Sequence, residues 1–143
     1  GPRTTIENVE PAEWRRVFEV NADGPFLVSR AALPFLRAAR GTIMMVSSSV
    51  GRKGRGGWGP YACSKHAREG LTDTLADELR ADEIVVMSMN PGGTATDMRA
   101  EAFPEEDPGS LPTAKQIAET IAEAAILATL EQSGAKLNSR DFL

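Results

Sequence analysis

At 143 residues, with 41% hydrophobic and 25% charged side chains, the chain has the size and composition of a single globular domain. Its net charge of −4 argues against a nucleic-acid surface, and no apolar run reaches the roughly 18 residues that a membrane span requires. One cysteine, Cys63, and one histidine, His66, leave no Cys/His metal set and no intrachain disulfide, so a metal-free protein of a reducing, cytoplasmic compartment is expected.

Residues 3–9 are polar and read as a loop. Pro11 suits a first helical turn, and Trp14, Val17, Phe18 and Asn21 follow at helical spacing. Gly24–Pro25 interrupts that run. Proline removes a backbone donor and collides with the preceding turn, so a kink is expected just after Asn21. The pattern resumes through Phe26, Leu27, Ala31, Leu33 and Leu36 and ends near Gly41. Thr42–Ser48 is a short continuous apolar run, as in a strand covered on both faces. The next segment, to residue 60, holds five glycines and reads as a loop. Pro60 then opens a helix whose buried stripe is Ala67, Leu71, Leu75 and Leu79. Ile84–Met89 is a second buried strand, completing a βαβ unit. Met44, Met45, Met87 and Met89 read as core. Pro91–Gly92–Gly93 ends the strand, and residues 99–112 form a loop. Thr113 and Gln116 have capping-box spacing before a helix with Ile117, Ile121, Ala125 and Ala128 inward. Residues 134–143 suggest the start of another strand.

Tyr61 and Lys65 stand four apart at a helix start and share a face. Ser48 ends the preceding strand, and in parallel α/β sheets ligands bind at the carboxyl ends of strands. The glycine-rich loop can fold Ser48 back beside Tyr61. A free tyrosine is a poor base near neutrality, and an adjacent lysine cation favours the phenolate. Tyr61 can then exchange a proton with a substrate oxygen that Ser48 holds by a hydrogen bond. No side chain can take a hydride, so redox chemistry here requires a cofactor.

Four segments, in order, resemble the short-chain dehydrogenase/reductase family: VFEVNADGPF, IMMVSSSVG, YACSK and NPGGTATDM. The resemblance runs from about residue 11 to residue 130. It implies an α/β fold, the second half of a Rossmann-like doubly wound parallel sheet with flanking helices. It also implies oxidation of an alcohol or reduction of a ketone with NAD or NADP. By that resemblance Tyr61 is the general acid/base, and Lys65 binds the nicotinamide ribose and tunes Tyr61. Ser48, selected over Ser47 and Ser49 by its distance from Gly51, polarises the carbonyl. Asn21 holds a proton-relay water at the kink. Pro91, Gly92, Thr94 and Thr96 flank the nicotinamide end of the cofactor, with Trp58 and Met98 as candidate substrate contacts. The helices at 11–40 and 60–82 resemble those of the family's dimer and tetramer interfaces, so a homodimer or homotetramer is expected.

The family's T-G-x-x-x-G-x-G turn and N-N-A-G turn have no match in these residues. The chain is therefore read as the carboxy-terminal portion of the fold, lacking the cofactor-binding half, with the strand at 42–48 as an open edge. The competing reading is a non-catalytic half-fold that serves as an oligomerisation or interaction module. Arg52, Lys53 and Arg55 form a basic cluster, read as a solvated loop in preference to an attractor for an acidic substrate or a cofactor phosphate. Trp14 is read as core, Cys63 as small filler between the motif residues, and His66 as pointing away from the site.

Overall fold

The computed structural model describes residues 3–142. Three parallel strands, β1 (Thr42–Val46), β2 (Val85–Asn90) and β3 (Lys136–Asn138), lie in the order β1-β2-β3, with Thr42 opposite Val85 and Met89 opposite Leu137. The β2 residues Val85 to Met89 are all buried, as a central strand covered on both faces requires. The segment at 134–143 supplies the third strand. β1 is shorter than expected and stops at Val46, although the Ser47 N–H still donates to the Met89 carbonyl at 2.8 Å. β1 is also the sheet's edge among the described residues, and Val46 is 39% exposed there. Met45, Met87 and Met89 are buried as expected, while Met44 is only half-buried.

The helices are α1 (Pro11–Phe18), α2 (Gly24–Ala39), α3 (Gly59–Glu78), α4 (Asp97–Ala102) and α5 (Ala114–Ile126). The expected kink is a π-helical turn, Glu19–Asp23, that widens the helix ahead of Gly24 and Pro25. Trp14 stacks on Phe18 at 4.9 Å and is half-buried; Val17 is the buried residue of α1. The capping box of α5 forms, with Thr113 N–H donating to Gln116 Oε1 at 2.9 Å and Gln116 N–H to Thr113 Oγ1 at 3.3 Å. Ile117 is buried on α5, but Ile121, Ala125 and Ala128 are half-buried, and Thr120 takes the second buried position.

Two expectations for α3 fail for one physical reason. Leu75 and Leu79 are buried and Leu71 half-buried, yet Ala67 is exposed. Cys63 is exposed too, not packing filler. Between residues 64 and 72 α3 turns a polar face inward, burying Ser64, Lys65, Glu69 and Thr72, so the buried leucine stripe begins only at Leu75. There Leu75, Ala76 and Leu79 pack with Met45, Ile84 and Val86, and Leu33, Leu36, Ile43 and Leu71 close the cluster. An apolar core thus sits toward the starts of β1 and β2, and a buried polar layer toward their ends. No helix among the described residues is long and apolar enough to cross a membrane.

Candidate active site

Pro60 sits at the start of α3, where its missing donor leaves no bond unmade, and places Tyr61 in the first turn. One turn on, Lys65 is 6% exposed, its Nζ 5.5 Å from the Tyr61 ring centre. Lys65 Nζ donates to the carbonyl of Val46, the last residue of β1, at 2.9 Å. Burial lowers the Lys65 pKa to about 8; Arg68 pushes the same way and Glu69 opposes. The ammonium therefore holds its proton near neutrality and gives it up readily above it.

Ser48 follows β1 in extended conformation (φ −162°, ψ 156°), and its carbonyl accepts from Gly51 N–H at 2.9 Å, closing a 3₁₀ turn over Ser49–Gly51. That turn lies on α3. A Cβ at Gly51 would come within 2.8 Å of Lys65 Cβ and 3.0 Å of the Lys65 backbone carbonyl oxygen. The glycine that singles out Ser48 in the sequence is thus the one that lets its turn touch the lysine helix.

Asn21 lies in the π turn, and its Nδ2 donates to Ser64 Oγ at 3.1 Å, which donates in turn to the Tyr61 carbonyl at 2.9 Å. Pro25 cannot donate to the Asn21 carbonyl four residues back. That carbonyl accepts instead from Arg68 Nε at 2.9 Å, and Arg68 Nη1 reaches the Val46 carbonyl at 2.6 Å. Burial lowers the Arg68 pKa, and the nearby Tyr61 phenol counters it. The sequence reading missed Arg68. Its only signal was a position three residues past Lys65, on the same helical face.

After β2, Pro91 is half-buried and Gly92 adopts φ 71°, a left-handed conformation suited to glycine; its N–H donates to Asn90 Oδ1 at 3.1 Å. Thr94 Oγ1 is buried with no hydrogen-bond partner among the described residues, and so is Ser47 Oγ. Thr96 instead caps α4, accepting from Arg99 N–H at 3.3 Å. Trp58 packs 5.9 Å from Tyr61 and 6.1 Å from Phe103, another residue absent from the sequence reading. Met98 is 65% exposed on α4. His66 turns back on its own helix, Nδ1 lying 2.9 Å from the Ala62 carbonyl.

Arg52 overturns the solvated-loop reading. Its Nε donates to Glu69 Oε1 at 3.1 Å, Nη1 to Asn138 Oδ1 at 3.0 Å, and Nη2 to the Leu137 carbonyl at 2.9 Å. Ser88 Oγ completes the group by donating to Glu69 Oε2 at 2.8 Å. Lys53 and Arg55 remain exposed. Glu69 was not singled out from sequence, because a buried carboxylate on α3 is recognisable only with its partner from another segment.

A buried amine beside a phenol, with the turn after Ser48 seated on the same helix, thus lies at the carboxyl end of β1, and a threonine hydroxyl unpartnered among the described residues follows the end of β2. The short chain dehydrogenase family matches residues 1–107, and the chain belongs to that family. It is 47% identical over 108 residues to YciK, an uncharacterized oxidoreductase of Escherichia coli K12, covering 75% of this chain and 42% of YciK. It is 39% identical over 98 residues to trans-4-hydroxycyclohexanecarboxylate dehydrogenase of Sinomonas cyclohexanicum, covering 68% of this chain and 38% of that enzyme. A short chain dehydrogenase of E. coli CFT073, solved in complex with NADPH, superposes with TM-score 0.86 at 38% identity, over 98% of this chain and 58% of that one. The parallel α/β architecture is accordingly that of the family's Rossmann-like fold. The chain spans less than half the length of these two curated relatives. The family match falls on residues 1–107, the amino-terminal part of the chain, and so does not bear out the reading of the chain as a carboxy-terminal portion.

Proposed function

We propose that the protein carrying this sequence is an oxidoreductase that interconverts a small-molecule alcohol and its carbonyl compound with NAD or NADP. One observation carries this reading: the Lys65 amine, buried at a strand end 5.5 Å from the Tyr61 ring. Burying an ionisable group is costly, and such groups cluster where chemistry uses them. For that reason the oxidoreductase is favoured over a non-catalytic interaction module. NADPH and NADP in solved relatives from E. coli and Shigella flexneri support the cofactor class.

Tyr61 acts as general acid/base on the substrate oxygen, and Ser48 hydrogen-bonds that oxygen. Lys65 keeps a positive charge beside the phenol and binds cofactor hydroxyls. Asn21 supports the site through Ser64, which bonds the Tyr61 backbone. The residues present fit a nicotinamide group, because the buried Thr94 hydroxyl has no partner among the described residues and can serve a polar ligand. Pro91, Gly92, Thr94 and Thr96 with Tyr61 and Lys65 would hold it, and when bound it supplies the hydride. Trp58 contributes a substrate wall. Met98 stands farther out as a second contact.

Residues 1–143 are read as one domain. Leu27, Val28 and Phe35 expose an apolar face on α2, which supports a homodimer or homotetramer. An exposed, unpaired Cys63 fits a reducing cytoplasm. Tyr61→Phe tests the reading. In the complete polypeptide it should lower kcat by about a hundredfold or more while cofactor binding persists. Turnover close to wild type would overturn it.

A further inference from the structure

Beside Tyr61, three segments distant in sequence build a corner that the acid–base chemistry does not use. Arg3 lies over two rings at once, its guanidinium carbon 5.1 Å from the centre of Trp58 and 5.2 Å from that of Phe103. The Trp58 ring adjoins Tyr61 at 5.9 Å. Thr4 bridges to Trp58, holding the Arg3 segment on the loop that leads into α3. A guanidinium stacked on aromatic faces keeps its N–H edge free for a planar acceptor. Arg3 donates one bond, 3.3 Å to the Ala102 carbonyl, and makes no ion pair among the described residues. Arg99 is its opposite. It lies 3.8 Å from the Phe103 ring centre, but Glu106 holds it through bonds of 2.5 and 2.7 Å. Two cations therefore stand at the Phe103 ring. One is neutralised by the protein, and one presents an unpaired charge.

We propose that Arg3, Trp58 and Phe103 are the specificity corner of the site and select an oxo or hydroxy acid. The reacting carbon lies at Tyr61, the apolar body rests on Trp58 and Phe103, and the carboxylate pairs with Arg3. This deepens the oxidoreductase reading and rests on it for the reacting end. A carboxylate suits the corner better than a phosphate. One fork-shaped cation matches a planar monoanion, whereas a phosphoryl dianion would need the second charge that Glu106 already occupies. The aromatic pair accounts for the spacer, since its faces can desolvate methylene or ring carbons but offer no polar partner apart from the indole N–H.

The test is equilibrium binding of an unreactive probe, so it does not depend on turnover. Octanoate and its neutral isostere octanamide are titrated calorimetrically into the complete polypeptide, wild type and variant. Octanoate is expected to bind more tightly than octanamide. Arg3→Leu should weaken octanoate by about tenfold and erase the preference, while Arg3→Lys, which keeps charge but loses the fork, should retain part of it. Arg3 is exposed, so neither variant removes a core contact. Arg55→Leu, an exposed arginine of the neighbouring loop, should leave both affinities unchanged. Three results overturn the assignment: absent octanoate binding, an unchanged octanoate affinity in Arg3→Leu, or a loss produced by Arg55→Leu instead. Each would leave the oxidoreductase reading intact, because that reading stands on Tyr61 turnover.

Discussion

Arg52 and Glu69 form an ion pair, Nε to Oε1 at 3.1 Å, that ties the turn after Ser48 to the helix carrying Tyr61 and Lys65. Glu69 is almost fully buried, with its side chain 6% exposed, and Arg52 also reaches Ser88, Leu137 and Asn138. The pair therefore joins α3, β2 and β3 through one guanidinium. Removing Arg52 leaves the buried Glu69 carboxylate with only the Ser88 hydroxyl and the Lys136 ammonium 4.0 Å away. Arg52→Met is expected to destabilise the protein by about 3–5 kcal/mol in denaturant titration. The double variant Arg52→Met/Glu69→Met should lose clearly less than the sum of the two single variants. Additive losses would show that the ion pair is not what couples these elements.

Gly51 makes a sharper steric prediction. A methyl group there meets Lys65 Cβ at 2.8 Å and the Lys65 backbone at 3.0 Å, and a helix backbone cannot yield as a side-chain tip can. Gly51→Ala should cost about 1–3 kcal/mol of stability and, if Ser48 holds the substrate oxygen as proposed, lower kcat by displacing the Ser48 turn from its seat on α3. Gly54→Ala, in the same loop with open space around it, should do neither. A fully active, fully stable Gly51→Ala protein would show that the turn does not need its close seat on α3.

Lys65 and Arg68 give a pH prediction with a definite sign. The folded Lys65 pKa is lowered to about 8 from its ordinary 10.5, so between those values the unfolded chain binds the extra proton. Stability from this group should rise with pH across that window, by up to about 1.4 kcal/mol per pH unit, relative to a Lys65→Met control. It is lost as pH falls through about 8. Activity should run the other way: it falls as pH rises through about 8 and the cation beside Tyr61 is lost. Arg68 also pushes the Lys65 value down, so Arg68→Gln should move that alkaline limb to higher pH. A limb that stays in place would show that Arg68 does not act on the lysine.

Local patterns carried much of the fold into view. A continuous apolar run marks a strand buried on both faces, and β2 is one. Thr113 and Gln116 satisfy each other's backbone donors within one turn, so their spacing was enough to locate the start of α5. Gly24–Pro25 marked the break after Asn21, because the missing donor is a property of proline itself. The positions of Tyr61 and Lys65 followed from motif and order for the same reason, on a helix whose start Pro60 marks, whereas Ser48 falls just past the end of β1 and not on it.

Pairings between segments were not legible. Ala67 was read as buried because apolar spacing alone cannot reveal that α3 turns a polar face inward beside it. Arg52 looked like a loop cation until Glu69, Ser88 and Asn138 stood around it. Arg68 reaches Asn21 across 47 residues, and Arg3 reaches Trp58 from another segment altogether. By itself the sequence determined a parallel α/β fold and a tyrosine and a lysine one turn apart at a helix start, since backbone periodicity and proline and glycine chemistry act over a few residues. Only the tertiary structure decided which charges are paired and which stand free at the rim, because a charge's state depends on neighbours that chain order does not bring together.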